Sequence, residues 1–455
     1  MPTTPDAALP PDGRPENASG TDSLTRRTFL AASAAGGLAL AACGDDTARL
    51  LEPVTDLAAL PAGDLSSIQH VVVVMMENRS FDHYLGWLSG ADGRQVGLAY
   101  PNREGVLVPT YNLAPDFQGC GHPDPDHSMA GGRTELNNGA CDGWLIAGNN
   151  DEYAIGYYRK KDLEFLGKAA PGWTTCDRYF SSMLGPTFPN RMFQLCAQTD
   201  RVTNDIAPTT LPTIFDSLFT AGVSAGYYFS DVPFLALWGL KYIAGPQAIS
   251  RPLSQFFSDC AGGTLPAVSF VEPLFVGSTI GLANDDHPYA DIRAGQTFMD
   301  RIYRAVTTGP GWLNTLLVIT YDEWGGFFEH VPPPTGSVSP IDQAAGYTDG
   351  LLGFRVPTVL VSPYAARQFV SHQVLEHCST LRLIEDRWGL PALTQRDATA
   401  NSLANALDFA APKALAPKYN VPTLDSGAVC PPPTVPRETP WTRLLDLARL
   451  TGWPI

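Results

Sequence analysis

The chain has 455 residues, 44% of them hydrophobic and 17% charged, which excludes a disordered tail and supplies apolar side chain for an enzyme-sized core. With 46 acidic residues against 30 basic ones the formal charge is −16, which argues against non-specific attraction to nucleic acid or to an anionic membrane surface, so a lipid substrate has to be held locally. The 42 glycines and 40 prolines predict a loop-rich chain whose loops shape a surface.

In chain order, residues 1–23 are polar, lack apolar periodicity and read as a disordered leader. Residues 24–43 follow as an export signal. Thr25-Arg26-Arg27-Thr28-Phe29-Leu30 places paired arginines before an apolar run, Phe29 to Ala42, that is too short to span a membrane. This is a twin-arginine pattern, and the closing Leu40-Ala41-Ala42-Cys43 is that of a lipoprotein, with cleavage before Cys43 and lipidation of its thiol anchoring the mature chain. An uncleaved amphipathic anchor is the plainer alternative. Of the remaining cysteines, Cys120/Cys141 and Cys176/Cys196 are near enough in sequence to pair in an oxidising compartment.

A linker over 44–64 leads into a catalytic body over 65–411. Ile68 to Met76 is a continuous apolar run around His70 and predicts a strand buried on both faces. Further runs at Val268–Val271, Leu316–Tyr321 and Val356–Val361, with a helical pattern at Ile292–Val306 among them, predict an α/β fold around a mostly parallel sheet. Ligands of such sheets gather beyond the carboxyl ends of the strands. A Pro-rich extension over 412–455 ends in a helical pattern, Trp441 to Leu450, expected to pack back on the body.

The first strand runs into Glu77-Asn78-Arg79-Ser80-Phe81-Asp82 and the third into Asp322-Glu323-Trp324-Gly325-Gly326. Carboxylates gathered at one sheet edge repel unless a cation neutralises them. Glu77, Asn78, Asp322 and Glu323 are hard oxygen donors that suit one divalent ion, Ca²⁺ or Mg²⁺ before Mn²⁺ or Zn²⁺. The alternative is that they cap helices or pair with an arginine such as Arg79. Between these strands, Gly185-Pro186-Thr187-Phe188-Pro189-Asn190-Arg191 places Thr187 at a helix start, as a nucleophile beside backbone N–H groups that favour phosphate or simply as an N-cap. His127, His287 and His330 stand in acidic, Pro-flanked loops and suit acid-base work or phosphoryl binding. Cys120, His122, Asp124, Asp126 and His127 have zinc-ligand chemistry without a second matching pair, which argues against a zinc site.

Together, HVVVVMMENRSFDHYLG from His70 to Gly86, GPTFPNR, NDDHP and YDEWGGFFEHVPPP resemble the bacterial phosphoesterase family that includes non-haemolytic phospholipases C and acid phosphatases, in family order from Ile68 to Leu390. The resemblance implies an alkaline-phosphatase-like α/β/α sandwich. It makes Glu77, Asn78, Asp322 and Glu323 metal ligands and Thr187 a metal-bound nucleophile, with His127 and His287 near the phosphoryl group. A phospholipase C-type diesterase acting through a phosphothreonine is the activity it implies first and a phosphomonoesterase second. An inert phospho-ligand-binding lipoprotein is the reading from another class. Trp324 and Glu329 depart from the residues common in relatives, histidine and aspartate. The spacing of Thr187, Pro189 and Arg191 also echoes sulfatases, but threonine does not yield their formylglycine.

Overall fold

Six successive apolar residues after His70 leave no solvent face, and the strand they form, β1 (His70–Met76), is buried along all but its first residue. In the computed structural model, which describes residues 61–432 and 440–455, β1 sits inside an eight-stranded sheet. The other strands are β2 (Thr174–Cys176), β3 (Ala225–Phe229), β4 (Ser250–Pro252), β5 (Val268–Val271), β6 (Thr315–Tyr321), β7 (Val359–Val361) and β8 (Phe369–Ser371). Their order across the sheet is β8-β2-β7-β6-β1-β5-β3-β4. All neighbours run parallel except β7, which is antiparallel to both β6 and β2. The expected mixed α/β class with a mostly parallel sheet is the observed one.

Register explains why the sheet has one chemical edge. Met76 lies opposite Tyr321 in the parallel β1–β6 pair, and Val74 opposite Val271 in the β1–β5 pair. The residues that follow these three neighbouring strands are therefore Glu77, Asp322 and Glu272, delivered side by side at the carboxyl end.

Helices α1 (Phe81–Leu85), α2 (Thr187–Cys196), α3 (Ile292–Thr308), α4 (His377–Trp388) and α5 (Pro440–Thr451) are the ones that bear on the site. Helix α5 buries Trp441, Leu444, Leu445 and Ala448, the i, i+3, i+4, i+7 stripe of an amphipathic helix, and packs on residues 234–238. Among the described residues no helix is long and apolar enough to cross a membrane.

The leader, the signal with Arg26, Arg27 and Cys43, and the linker up to residue 60 lie outside the described residues. The expected cysteine pairs are both overturned. Cys120 bonds Cys430 across 310 residues of sequence, and Cys141, Cys176 and Cys196 are buried free thiols. Nearness in sequence carries no information here, because the loop after residue 114 and the segment before α5 meet only in the folded chain.

Candidate active site

Asn78, one residue past the first acid, adopts φ +60, a left-handed conformation that asparagine tolerates better than most residues. It is held there from two sides. Its backbone N–H donates to Asp322 Oδ1 at 3.1 Å, and Gly325, at φ +67, lies so close that a Cβ would come within 2.2 Å of the Asn78 carbonyl oxygen. Glycine at 325 is required by this close approach rather than by loop freedom alone, and at Gly326 a Cβ would instead meet Pro125 at 2.7 Å.

Helix α2 opens at Thr187, with Pro186 in the capping position and no side-chain cap, so Thr187 is the first helical residue and not an N-cap. Its hydroxyl lies 3.4 Å from Asn78 Oδ1. The next N–H of the helix start, that of Phe188, is donated to Asn204 Oδ1 at 2.9 Å. That group is therefore already engaged, and Asn204 itself lines the same pocket.

Four residues further along α2, one helical turn, Arg191 reaches the acidic edge. Its guanidinium lies 3.5 Å from Glu77, 2.6 Å from Glu272 and 3.3 Å from Asp322, and its face lies over Phe275 and Trp441. The arginine that pairs with the carboxylates is this one. Arg79 instead donates to the Asp286 backbone oxygen and packs over Phe327.

Glu77, Asp322 and Glu323 are fully buried. Burial raises the pKa of each of them; the Asp322 charge pushes Glu77 further, and the Arg191 charge draws Asp322 back. One guanidinium shared with Glu272 does not neutralise four carboxylates. Among the described residues, Glu77 Oε2, Glu323 Oε1 and Asn78 Nδ2 have no hydrogen-bond partner, whereas buried polar atoms are ordinarily satisfied. These orphaned oxygens fit a hard divalent cation, although Glu77, Asp322 and Glu323 do not by themselves form a set of ligand atoms as tight as those below.

The pocket at this edge is lined by Glu77, Thr187, Asn204, His127, His287 and Trp441, with Phe275 and residues 277–279. His127 and His287 stand edge to face, 5.8 Å between ring centroids. Each presents its Nδ1 to a backbone carbonyl, that of Pro125 at 2.9 Å and of Pro288 at 3.0 Å respectively, which turns the Nε2 atoms elsewhere: His127 Nε2 lies 4.0 Å from Glu323 and His287 Nε2 lies 3.6 Å from Asp124. Burial lowers the His287 pKa, with Asp124 opposing it.

Of the expected site residues, Glu77, Asn78, Thr187, Asp322, Glu323, His127 and His287 come together. His330 does not. Its ring nitrogens are taken by Asp82 and Asp92, beside Glu329 and Arg355. Glu329 is pushed up to about 7 by burial, against the pull of Arg355 at 2.6 Å. Trp324 donates to buried Glu135 at 2.7 Å.

The zinc-like cluster also dissolves: Cys120 is in the disulfide, and His122 binds Asp151 at 2.8 Å while stacking on Tyr153. Among the described residues, the groups with three His, Cys, Asp or Glu ligand atoms within 4.8 Å of one another are Asp124–His127–His287 and Asp82–Glu329–His330.

Sequence reasoning missed Glu272, Asn204, Arg191 and Trp441 as site residues. Arg191 had a signal, its i, i+4 spacing from Thr187 on one helix face. Glu272 also had one, since it ends the run Val268–Val271 as Glu77 ends its own. Asn204 and Trp441 arrive through tertiary packing and had none.

Comparison with known proteins places the chain in a family. A model of the Phosphoesterase family matches residues 68–391. Phospholipase C B of Mycobacterium tuberculosis (strain ATCC 25618 / H37Rv) is 32% identical, covering 92% of this chain and 91% of its own. Phospholipase C A of the same strain is 30% identical over 86% of each chain. Non-specific phospholipase C6 of Arabidopsis thaliana is 32% identical, covering 74% of this chain and 71% of its own. A solved structure from the alkaline phosphatase superfamily, from Vibrio parahaemolyticus, overlaps 75% of this chain and 72% of its own at 10% identity and a TM-score of 0.36, too low to carry weight. From the family match and the relatives at 30% identity and above, the chain belongs to the Phosphoesterase family and is a hydrolase of phosphoester bonds.

Proposed function

We propose that this protein is an exported, metal-dependent phosphodiesterase of phospholipase C type that works through a phosphothreonine. The observation that carries the reading is the meeting of Thr187, Glu77, His127 and His287 in one pocket; the phospholipase C names of its relatives give the substrate class.

Glu77, Asn78, Asp322 and Glu323, with the Thr187 hydroxyl, would hold one divalent ion, Ca²⁺ or Mg²⁺ before Mn²⁺ or Zn²⁺. When bound, that ion supplies positive charge that favours the threonine alkoxide and offsets charge on the phosphoryl oxygens. Asn78 Oδ1 accepts from and orients the hydroxyl. Thr187 passes its hydroxyl proton to one histidine of the pocket as Oγ1 attacks phosphorus in line, the bond to the alcohol oxygen breaks, and the alcohol leaves with a proton from the other histidine. Water then attacks phosphorus from the opposite side, the bond to Thr187 breaks, and the threonine recovers its proton. His287, paired with Asp124, and His127 face the phosphoryl group in this scheme.

The test is phosphocholine release from phosphatidylcholine beside hydrolysis of a chromogenic phosphate monoester, before and after chelation. Diester cleavage that is lost on chelation and returns with added divalent ion is the expected result. Monoester cleavage alone would reassign the site to a phosphatase, and no turnover with any of the four ions would leave a binding protein.

Export is proposed from the paired Arg26-Arg27 and the Leu40-Ala41-Ala42-Cys43 run, and the Cys120–Cys430 bond supports it, since such bonds persist in oxidising compartments. Mass spectrometry of the mature N-terminus should find a lipidated Cys43; an intact Met1 would sink the idea.

A further inference from the structure

The family match ends at residue 391 and α5 begins at Pro440, yet Trp441 reaches the pocket beside Glu77 and Thr187. Its indole N–H donates to Glu77 Oε1 at 2.8 Å. The ring is clamped in place, stacked on Phe275 with 3.7 Å between centroids and 5° between planes, and it meets the edges of Phe188 and Phe234. Cys430, bonded to Cys120, ties the chain to the body shortly before the helix.

The two oxygens of Glu77 are unequal. Oε1 is held by the indole and lies 3.5 Å from Arg191, while Oε2 has no hydrogen-bond partner among the described residues. The terminal torsion of a glutamate is broad and nearly two-fold. With Arg191 as its one neighbour of opposite charge among the described residues, the carboxylate can swing either oxygen toward the guanidinium. The indole N–H removes that freedom.

We propose that Trp441 is a positioning residue of this site: it fixes Oε1 of Glu77 so that Oε2 is the oxygen offered to the cation, and a segment beyond the family region thereby completes the metal site. The proposal rests on the metal-dependent reading above. It is not a catalytic residue, since it acts through the carboxylate.

Trp441→Phe keeps the stack on Phe275 and deletes the N–H. Calorimetric titration of chelator-treated wild type and Trp441→Phe with Mg²⁺, Ca²⁺, Mn²⁺ and Zn²⁺ in turn should give an affinity about 10–100-fold weaker in the variant, the usual effect of losing a group that orients a ligand. Equal affinity overturns the proposal. A second measurement separates it from the metal reading. In metal-free protein, the shift in unfolding midpoint caused by Trp441→Phe should disappear in a Glu77→Met background, because both changes act on one hydrogen bond. If the wild type takes up none of the four ions, the metal reading fails and the positioning role falls with it; where the wild type binds an ion, a midpoint shift that persists in Glu77→Met overturns the positioning role alone.

Discussion

Thr187→Ala is expected to lower turnover of the diester by on the order of 10⁴-fold or more, the scale of losing a nucleophile, while leaving the fold and most of the metal affinity in place. The two effects separate because, among the described residues, the side chain makes one weak hydrogen bond, the 3.4 Å approach to Asn78 Oδ1. Pro186, not Thr187, occupies the capping position, and alanine is the best helix former at a helical position. Thr187→Ser, which keeps a hydroxyl, should retain substantial activity. Steady-state kinetics beside thermal unfolding distinguishes these results. Full activity in Thr187→Ala would end the phosphothreonine scheme, and a collapse of stability would show that the residue holds the helix start.

The second large effect is on stability. Arg191 is almost fully buried and is shared by Glu77, Glu272 and Asp322. Removing one partner of a buried ionic set leaves uncompensated charge and costs about 3–5 kcal/mol. Arg191→Met, which preserves much of the side-chain volume over Phe275 and Trp441, should therefore unfold at markedly lower denaturant when metal-free, and should recover part of the loss when a divalent ion is added. Arg191→Lys should not rescue it, because a single ammonium cannot address three carboxylates in the fork geometry of a guanidinium. Equilibrium denaturation of the three proteins with and without ion is the measurement; a loss under about 1 kcal/mol for Arg191→Met would mean that the carboxylates are carried as neutral acids.

The central strands were legible because burial on both faces leaves a continuous apolar run, and β1, β5 and β6 end within two residues of the runs at Ile68–Met76, Val268–Val271 and Leu316–Tyr321. The stripe of α5 was legible for the complementary reason: burial of one helix face leaves apolar residues at helical spacing. Strand direction was not: Val356 to Val361 reads the same either way, and β7 turned out shorter and antiparallel. Acids placed directly after buried strands were readable as a cluster because register carries them to one edge. The partner of those acids was not, since Arg79 and Arg191 are alike in sequence and only the turn of α2 aims one of them inward. His330 shows the converse, a residue with suitable chemistry seven positions past Glu323 that the chain carries to Asp82 instead.

The Cys120–Cys430 bond makes a covalent ring of most of the body. A protease that cuts once anywhere inside that ring produces two chain pieces but no dissociated fragment, so Thr187, Glu272, Asp322 and the carrier of Trp441 stay on one molecule. The ring closes before Pro440, however, so a single cut in the stretch between Cys430 and that proline breaks the covalent link between α5 and the rest of the chain.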